Sequence, residues 1–315
     1  MDRAGRQPGG HRARHAAAFS GMIMAMAPRA WHCAAGAAMA LLLAACAAPP
    51  DKAATSTLAA ELPQYDIVLL GEVHDNAQGH RLRAEALGEA IRAGWRPAIA
   101  MEQFDRERQA DLDQAMARCT DPDCVIRAAT PARPGWDWAH YRPVLALALR
   151  EKLPIVAANL SRADAGTVMK QGPASVFDTA QLRELGLDAP APDLLAAQRK
   201  EVAEAHCGAL PHAMLDGMAT AQLARDAVMA LALEHASRAP AAPSGARSRP
   251  VVLLSGNGHV RRDIGVPRWL KGHAVLSVGF TEQPVPPGTY DRTVPVDAAP
   301  RGDPCQAFGS RPGGR

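Results

Sequence analysis

The chain has 315 residues, 48% hydrophobic but only 4% aromatic, so alanine and leucine supply most of a core large enough for one large α/β domain or two ordinary ones. The formal net charge of +3 belongs to the N-terminal segment, where Asp2, Arg3, Arg6, Arg12, Arg14 and Arg29 contribute +4 and leave −1 for the remainder. That near-neutral body excludes an electrostatic case for nucleic-acid binding, and a short basic cluster such as Arg261–Arg262 reads as a solvated face.

Residues 1–45 read as a signal peptide. Arg29 precedes the apolar stretch AWHCAAGAAMALLLAAC (30–46), which is too short for a comfortable membrane span. The polar residues before Met22 leave Met22, Met24 and Met26 open as true starts. The sequence Leu43-Ala44-Ala45-Cys46 resembles the lipobox of bacterial lipoproteins, on which reading Cys46 is the acylated first mature residue and residues 46–62 are a flexible tether. The expected location is the bacterial outer membrane, lipid-anchored and facing the periplasm.

YDIVLLG (65–71) is an apolar run stopped by glycine, as expected of a doubly covered parallel strand. A helix follows over 77–94, a strand over 96–102, and an amphipathic helix over 106–119. Residues 120–135 are proline-rich and predicted irregular. A helix over 138–152 carries Pro143 in its first turns, and LPIVAANL (153–160) is a third strand. Residues 161 to about 238 hold helical patterns without a convincing strand. A loop of breakers (238–250) precedes strands at 251–256 and 274–280, and residues 284–315 read as a flexible tail. The fold class is therefore α/β: a mostly parallel sheet flanked by helices, within a domain of residues 63–283 and with a helical subdomain inserted between the third and fourth strands. Cys119 and Cys124 flank a turn-rich spacer and can pair locally. Cys207 and Cys305 remain, and connectivity stays open.

Ligands of open α/β sheets bind beyond the carboxyl ends of the strands. The polar residues fall there each time: Gly71-Glu72-Val73-His74, then Glu102, then Asn159 with Arg162, then Gly256-Asn257-Gly258-His259. Glu72, His74, Glu102 and His259 are candidates both for general acid–base catalysis and for ligation of a divalent metal. Arg162 can hold a carboxylate or an oxyanion. The competing reading is that Glu72 and Glu102 simply precede helices, where the helix dipole favours a carboxylate.

Taken in order, YDIVLLGEVHDNAQGHRL, PAIAMEQFDRERQ, WDWAHYRPV, LPIVAANLSR, EAHCGALP, AQLARDAVMA, VLLSGNGHVRRDIGVP and LSVGF resemble the ChaN-like haem-binding uptake lipoproteins. Their superfamily also holds the Tiki and TraB proteins and the erythromycin esterases. The resemblance implies an iron-regulated lipoprotein that binds haem between two subunits, with a tyrosine as iron ligand. Among Tyr65, Tyr141 and Tyr290, only Tyr141 lies in an aromatic stretch expected to be exposed, beside Trp136, Trp138 and His140. The candidate cofactor set is thus Tyr141, His140, Arg162 and Asn257, with Met214 and Met218 as apolar contacts.

Three functions are weighed. The first is lipid-anchored haem uptake, with haem, a homodimer around it and an outer-membrane receptor as partners. The second is a metal-dependent hydrolase using the paired Gly-x-x-His loops. The third is an outer-membrane assembly partner with a vestigial site. The absence of Gly-x-Ser-x-Gly argues against a serine hydrolase of the usual α/β type.

Overall fold

A computed structural model describes residues 50–130, 135–239, 248–303, 305 and 306. The predicted signal peptide, the alternative start methionines, Cys46 and the end of the tail lie outside these residues. In chain order the elements are α1 (Pro50–Glu61), β1 (Ile67–Leu70), α2 (Ala77–Arg92), β2 (Ala98–Asp105), α3 (Gln109–Arg118), α4 (Pro122–Ala129), α5 (Arg142–Glu151) and β3 (Ile155–Asn159). They continue as α6 (Arg162–Gln171), α7 (Thr179–Glu184), α8 (Pro192–Ala205), α9 (His212–Arg238), β4 (Val251–Leu254), α10 (Asn257–Val260), β5 (Val275–Thr281) and β6 (Arg292–Pro295).

The strands form one sheet in the order β3-β2-β4-β1-β5-β6, with every pairing parallel. Side chains alternate across a strand, so each strand feeds two cores. Val68, Leu70, Ile99, Met101, Val252, Leu254 and Val278 join the core beneath α1, α2, α3, α4 and α5, while Ile67, Leu69, Ala98, Ala100, Val251 and Leu253 meet Met229, Ala230 and Leu233 of α9. Both faces are covered, which is why these strands read as unbroken apolar runs.

The helical insertion is less separate than expected. α9 packs on α6 and α8 and also against β2, β3 and β4, so one 27-residue helix serves both the insertion and the sheet. Three further expectations are corrected. The tether is helical over α1, where Leu58 and Ala59 are buried. The proline-rich stretch contains α4, started by Pro122 and capped by Asp121, whose side chain accepts from Cys124 N at 2.9 Å. The tail supplies the edge strand β6, and Cys305 beyond it is disulfide-bonded to Cys207. Cys119 pairs with Cys124.

Candidate functional site at the strand ends

The two Gly-x-x-His turns follow β1 and β4, which are adjacent strands of the sheet, and they interlock. A Cβ on Gly71 would collide with the Asn257 side chain and stand 2.8 Å from Val260 Cγ2. A Cβ on Gly256 would stand 3.0 Å from His74 Cε1 and 3.1 Å from its Nε2. Each turn therefore opens on a glycine because a side chain from the other turn occupies the space. Asn257 is locked there, donating to Phe280 O at 2.6 Å and accepting from Phe280 N at 3.2 Å.

Glu72 is the hub of the first turn. It is buried and ion-paired with Arg83. Its Oε1 accepts from Tyr141 Oη at 2.5 Å and from His74 Nδ1 at 2.8 Å. Burial alone would raise its pKa, but Arg83, His74, His80 and Tyr141 together hold it at about 2. His80 is pushed down to about 4, by burial first and then by Arg83, so it is neutral near pH 7. It then accepts from Arg83 Nη2 at Nδ1 (3.1 Å) and donates from Nε2 to His74 O (3.0 Å). The His74 side chain is 53% exposed. Burial lowers its pKa, but Glu72 and Glu102 more than offset that and the net shift is upward. With Nδ1–H committed to Glu72, neutral His74 presents Nε2 as its lone-pair nitrogen.

His259 is held differently. Its Nδ1 donates to Asp226 Oδ1 at 2.6 Å and its Nε2 lies 3.5 Å from Glu102 Oε1. Burial would lower its pKa, yet the two carboxylates raise it to about 10, so the ring is an imidazolium between two acids. Glu102 Oε2 also accepts from Gly256 N at 2.8 Å, and Asp226 Oδ2 accepts from Gln198 at 3.1 Å. Among the described residues no group of three or more His, Cys, Asp or Glu is placed to hold a metal ion. The expected divalent-metal set of Glu72, His74, Glu102 and His259 gains no support among the described residues: Arg83 and the Tyr141 phenol engage Glu72, and both nitrogens of His259 face carboxylates.

Of the predicted cofactor residues, Arg162 lines the principal cavity at the strand ends, about 940 Å³ in volume, together with His74, Met169, Met218, Arg225 and His259. Met214 is exposed and outside that lining. Tyr141 is not the exposed residue expected: it is 1% exposed, and its pKa is raised by burial and then by Glu72. His140 stacks on His80 with centroids 4.4 Å apart, away from this cavity. Asn257 contributes to the lining, but its amide is spent on Phe280. Tyr65 and Tyr290 are half-buried, with hydroxyls directed to Glu61 and to Asn257 O. Tyrosinate ligation of iron therefore does not fit the phenols of this chain as they stand.

Arg83, His80, Asp226 and Arg225 were not singled out from sequence. A signal existed: His80 and Arg83 fall on the apolar stripe of α2 with Leu87 and Ala90, and Asp226 falls on that of α9 with Leu223, Ala230 and Leu233. A charge on a buried stripe marks a built network.

The family described as haem-binding uptake, Tiki superfamily, ChaN matches residues 58–270. The chain belongs to the ChaN family. A solved structure described as cofacial haem binding to ChaN of Campylobacter jejuni is 19% identical, with a TM-score of 0.60, covering 75% of this chain and 89% of that one. The erythromycin esterase EreC, a mutant in its open conformation, is 13% identical over 71% of each chain, with a TM-score of 0.42. The type III effector HopBA1 is 13% identical, with a TM-score of 0.43, covering 78% of this chain and 94% of that one. No curated protein sequence matches. The Campylobacter ChaN likeness extends the family assignment to the α/β fold seen here.

Proposed function

We propose that this ChaN-family chain is a lipid-anchored haem-binding protein of iron or haem uptake, with haem seated in the strand-end cavity and held through the His74 imidazole. The observation that carries the reading is the cavity of about 940 Å³, near the top of the usual range for ligand sites of about 300–1,000 Å³. Its lining suits a porphyrin. Met169, Val202, Ala205, Met218 and Ala221 supply apolar and polarizable contact, and His74 supplies a nitrogen with its other nitrogen fixed by Glu72. Bound haem supplies ferric iron, for which histidine is an established axial ligand. Tyr141 then serves Glu72 and, through it, the orientation of His74. The metal-dependent hydrolase reading gains no support from a ring of ligands, and the acidic partners of His259 keep that imidazole protonated rather than basic.

Cofacial haem binding, as described for the Campylobacter protein, would bring two copies of this chain together around the ligand. The anchoring part of the reading is supported by Leu43–Cys46, and the location proposed with it is the periplasmic side of the outer membrane. Purified residues 47–315 titrated with haemin should give a saturable visible spectrum. His74→Ala should change the spectrum and weaken binding about tenfold or more, while Tyr141→Phe should leave its ligand type unaltered. An unchanged spectrum in His74→Ala would overturn the ligand assignment, and no haemin binding would overturn the function. Cys46→Ser should move the protein from the membrane to the soluble fraction.

A further inference from the structure

A second, smaller cavity of about 410 Å³ adjoins the first, and Arg162 and Arg225 line both. Its other walls include Gln103, Trp136, Trp138 and Asp105. Three polar atoms here are without partners. Gln103 is 4% exposed, and neither its Oε1 nor its Nε2 makes a hydrogen bond; Trp138 is 7% exposed, and its Nε1 makes none. A buried polar group left unsatisfied is costly and uncommon, and a ligand is one of its ordinary explanations.

The two arginines also carry unused donors. Arg162 is exposed and forms no ion pair or hydrogen bond with the described residues. Arg225 is half-buried, and only its Nη1 is engaged, with Asn159 Oδ1 at 2.5 Å and Leu160 O at 2.8 Å. The carboxylates of this wall are already committed elsewhere: Glu102 to His259 and Gly256, Asp105 to Asn159. Among the described residues neither guanidinium is in an ion pair with a carboxylate; burial lowers the pKa of Arg225, Glu102, Asp105 and Asp226 offset part of that from a distance, and Arg162 adds a smaller repulsion.

We infer that this wall is a carboxylate-binding subsite, in which Arg162 and the unengaged nitrogens of Arg225 hold a carboxylate of the ligand in the larger cavity, with Gln103 and Trp138 buried in the wall behind them. On the function proposed above, that carboxylate is a haem propionate. The donors match the need: planar guanidinium forks bind carboxylates in two parallel hydrogen bonds. Asn159 acts here as a positioning residue, fixing Arg225 at the end of β3.

The test compares haemin, haemin dimethyl ester and succinate against the parent, Arg162→Gln, Arg162→Lys and Gln103→Leu. The parent should bind haemin about tenfold to a hundredfold more tightly than the ester, the size expected of a charge-assisted hydrogen bond. Arg162→Gln should abolish that preference, and Arg162→Lys should restore part of it. Gln103→Leu should leave the preference for haemin over the ester intact and raise the urea midpoint of the empty protein, because an unpaired buried amide is removed. Equal binding of haemin and ester by the parent overturns the subsite and leaves the haem reading standing. If neither porphyrin binds but succinate raises the melting temperature of the parent and not of Arg162→Gln, the subsite stands and the haem reading falls. Binding of none of the three overturns both.

Discussion

Gly71→Ala tests the interlock of the two turns directly. The new Cβ meets the Asn257 side chain and comes within 2.8 Å of Val260 Cγ2. Asn257 cannot swing away without releasing both hydrogen bonds to the Phe280 backbone. Overpacking costs about 1–3 kcal/mol, and each of two lost hydrogen bonds about 0.5–1.5 kcal/mol, so the substitution should destabilise the fold by about 2–6 kcal/mol. Asn257→Ala alone removes the same two bonds and should cost about 1–3 kcal/mol. In the double variant the clash with Asn257 is gone, so the combined loss should fall short of the sum by at least about 1 kcal/mol. Urea unfolding with linear extrapolation measures all three. Strict additivity would refute the interlock. Gly256→Ala is the control. Its Cβ meets the half-exposed ring of His74, which can turn toward solvent by releasing its one hydrogen bond to Glu72, so stability should fall by about 0.5–1.5 kcal/mol while haemin binding also falls.

Glu72 should govern acid stability. Its pKa falls from 4.5 to about 2 on folding, so its contribution is complete above pH 4.5 and is lost as pH drops toward 2. That share is about 3 kcal/mol, and the urea midpoint of Glu72→Gln should vary far less than the parent's between pH 5 and pH 3; an equally steep loss in the variant would exclude Glu72 as its source. His259 works in the opposite direction. Its pKa is raised to about 10, so its contribution is complete below about pH 6.5 and fades as pH rises toward 10. Asp226→Asn lowers the folded-state pKa, so the decline should be smaller and end at lower pH, seen as a smaller drop in urea midpoint between pH 7 and 9 than the parent shows. Replacing Cys207 and Cys305 together by serine should cost up to about 4 kcal/mol, since the bond closes a loop with a sequence separation of 98. A melting temperature equal to the parent's would show that the bond does not constrain the unfolded chain.

Five of the six strands are legible because each is an apolar run ended by glycine or a polar residue, and burial on both faces leaves no other pattern for them. β6 is not, because Arg292 and Thr293 are exposed and Pro295 closes the strand, as an edge position permits. α1 hides for a related reason: only one side of PDKAATSTLAAE meets α2, and its alanines give little contrast. At the site, the strand-end histidines and glutamates stand out against their apolar runs. What they do does not, because it depends on Arg83 and Asp226, which reach the strand ends from α2 and α9 and whose only mark in the sequence is a charge on an apolar stripe. Tyr141 shows the same limit. Its aromatic neighbours suggest a surface patch, whereas the ring is turned inward by the demand of the buried Glu72 for a donor.

The strand order also dictates when the site can exist during synthesis. Ile67 of β1 pairs with Val251 of β4 on one side and Val275 of β5 on the other. The strand carrying His74 thus emerges early and stays unpaired on both edges until the last quarter of the chain arrives. A nascent chain halted before Val251 holds one turn of the interlock with nothing to receive it. Such distant pairings make folding slow and leave an exposed IVLL edge open to wrong partners in the interval. Capture of ligand by a finished cavity is delayed by the same order, because the segment Gly256–Ile264 that completes the lining follows all its other segments in the chain.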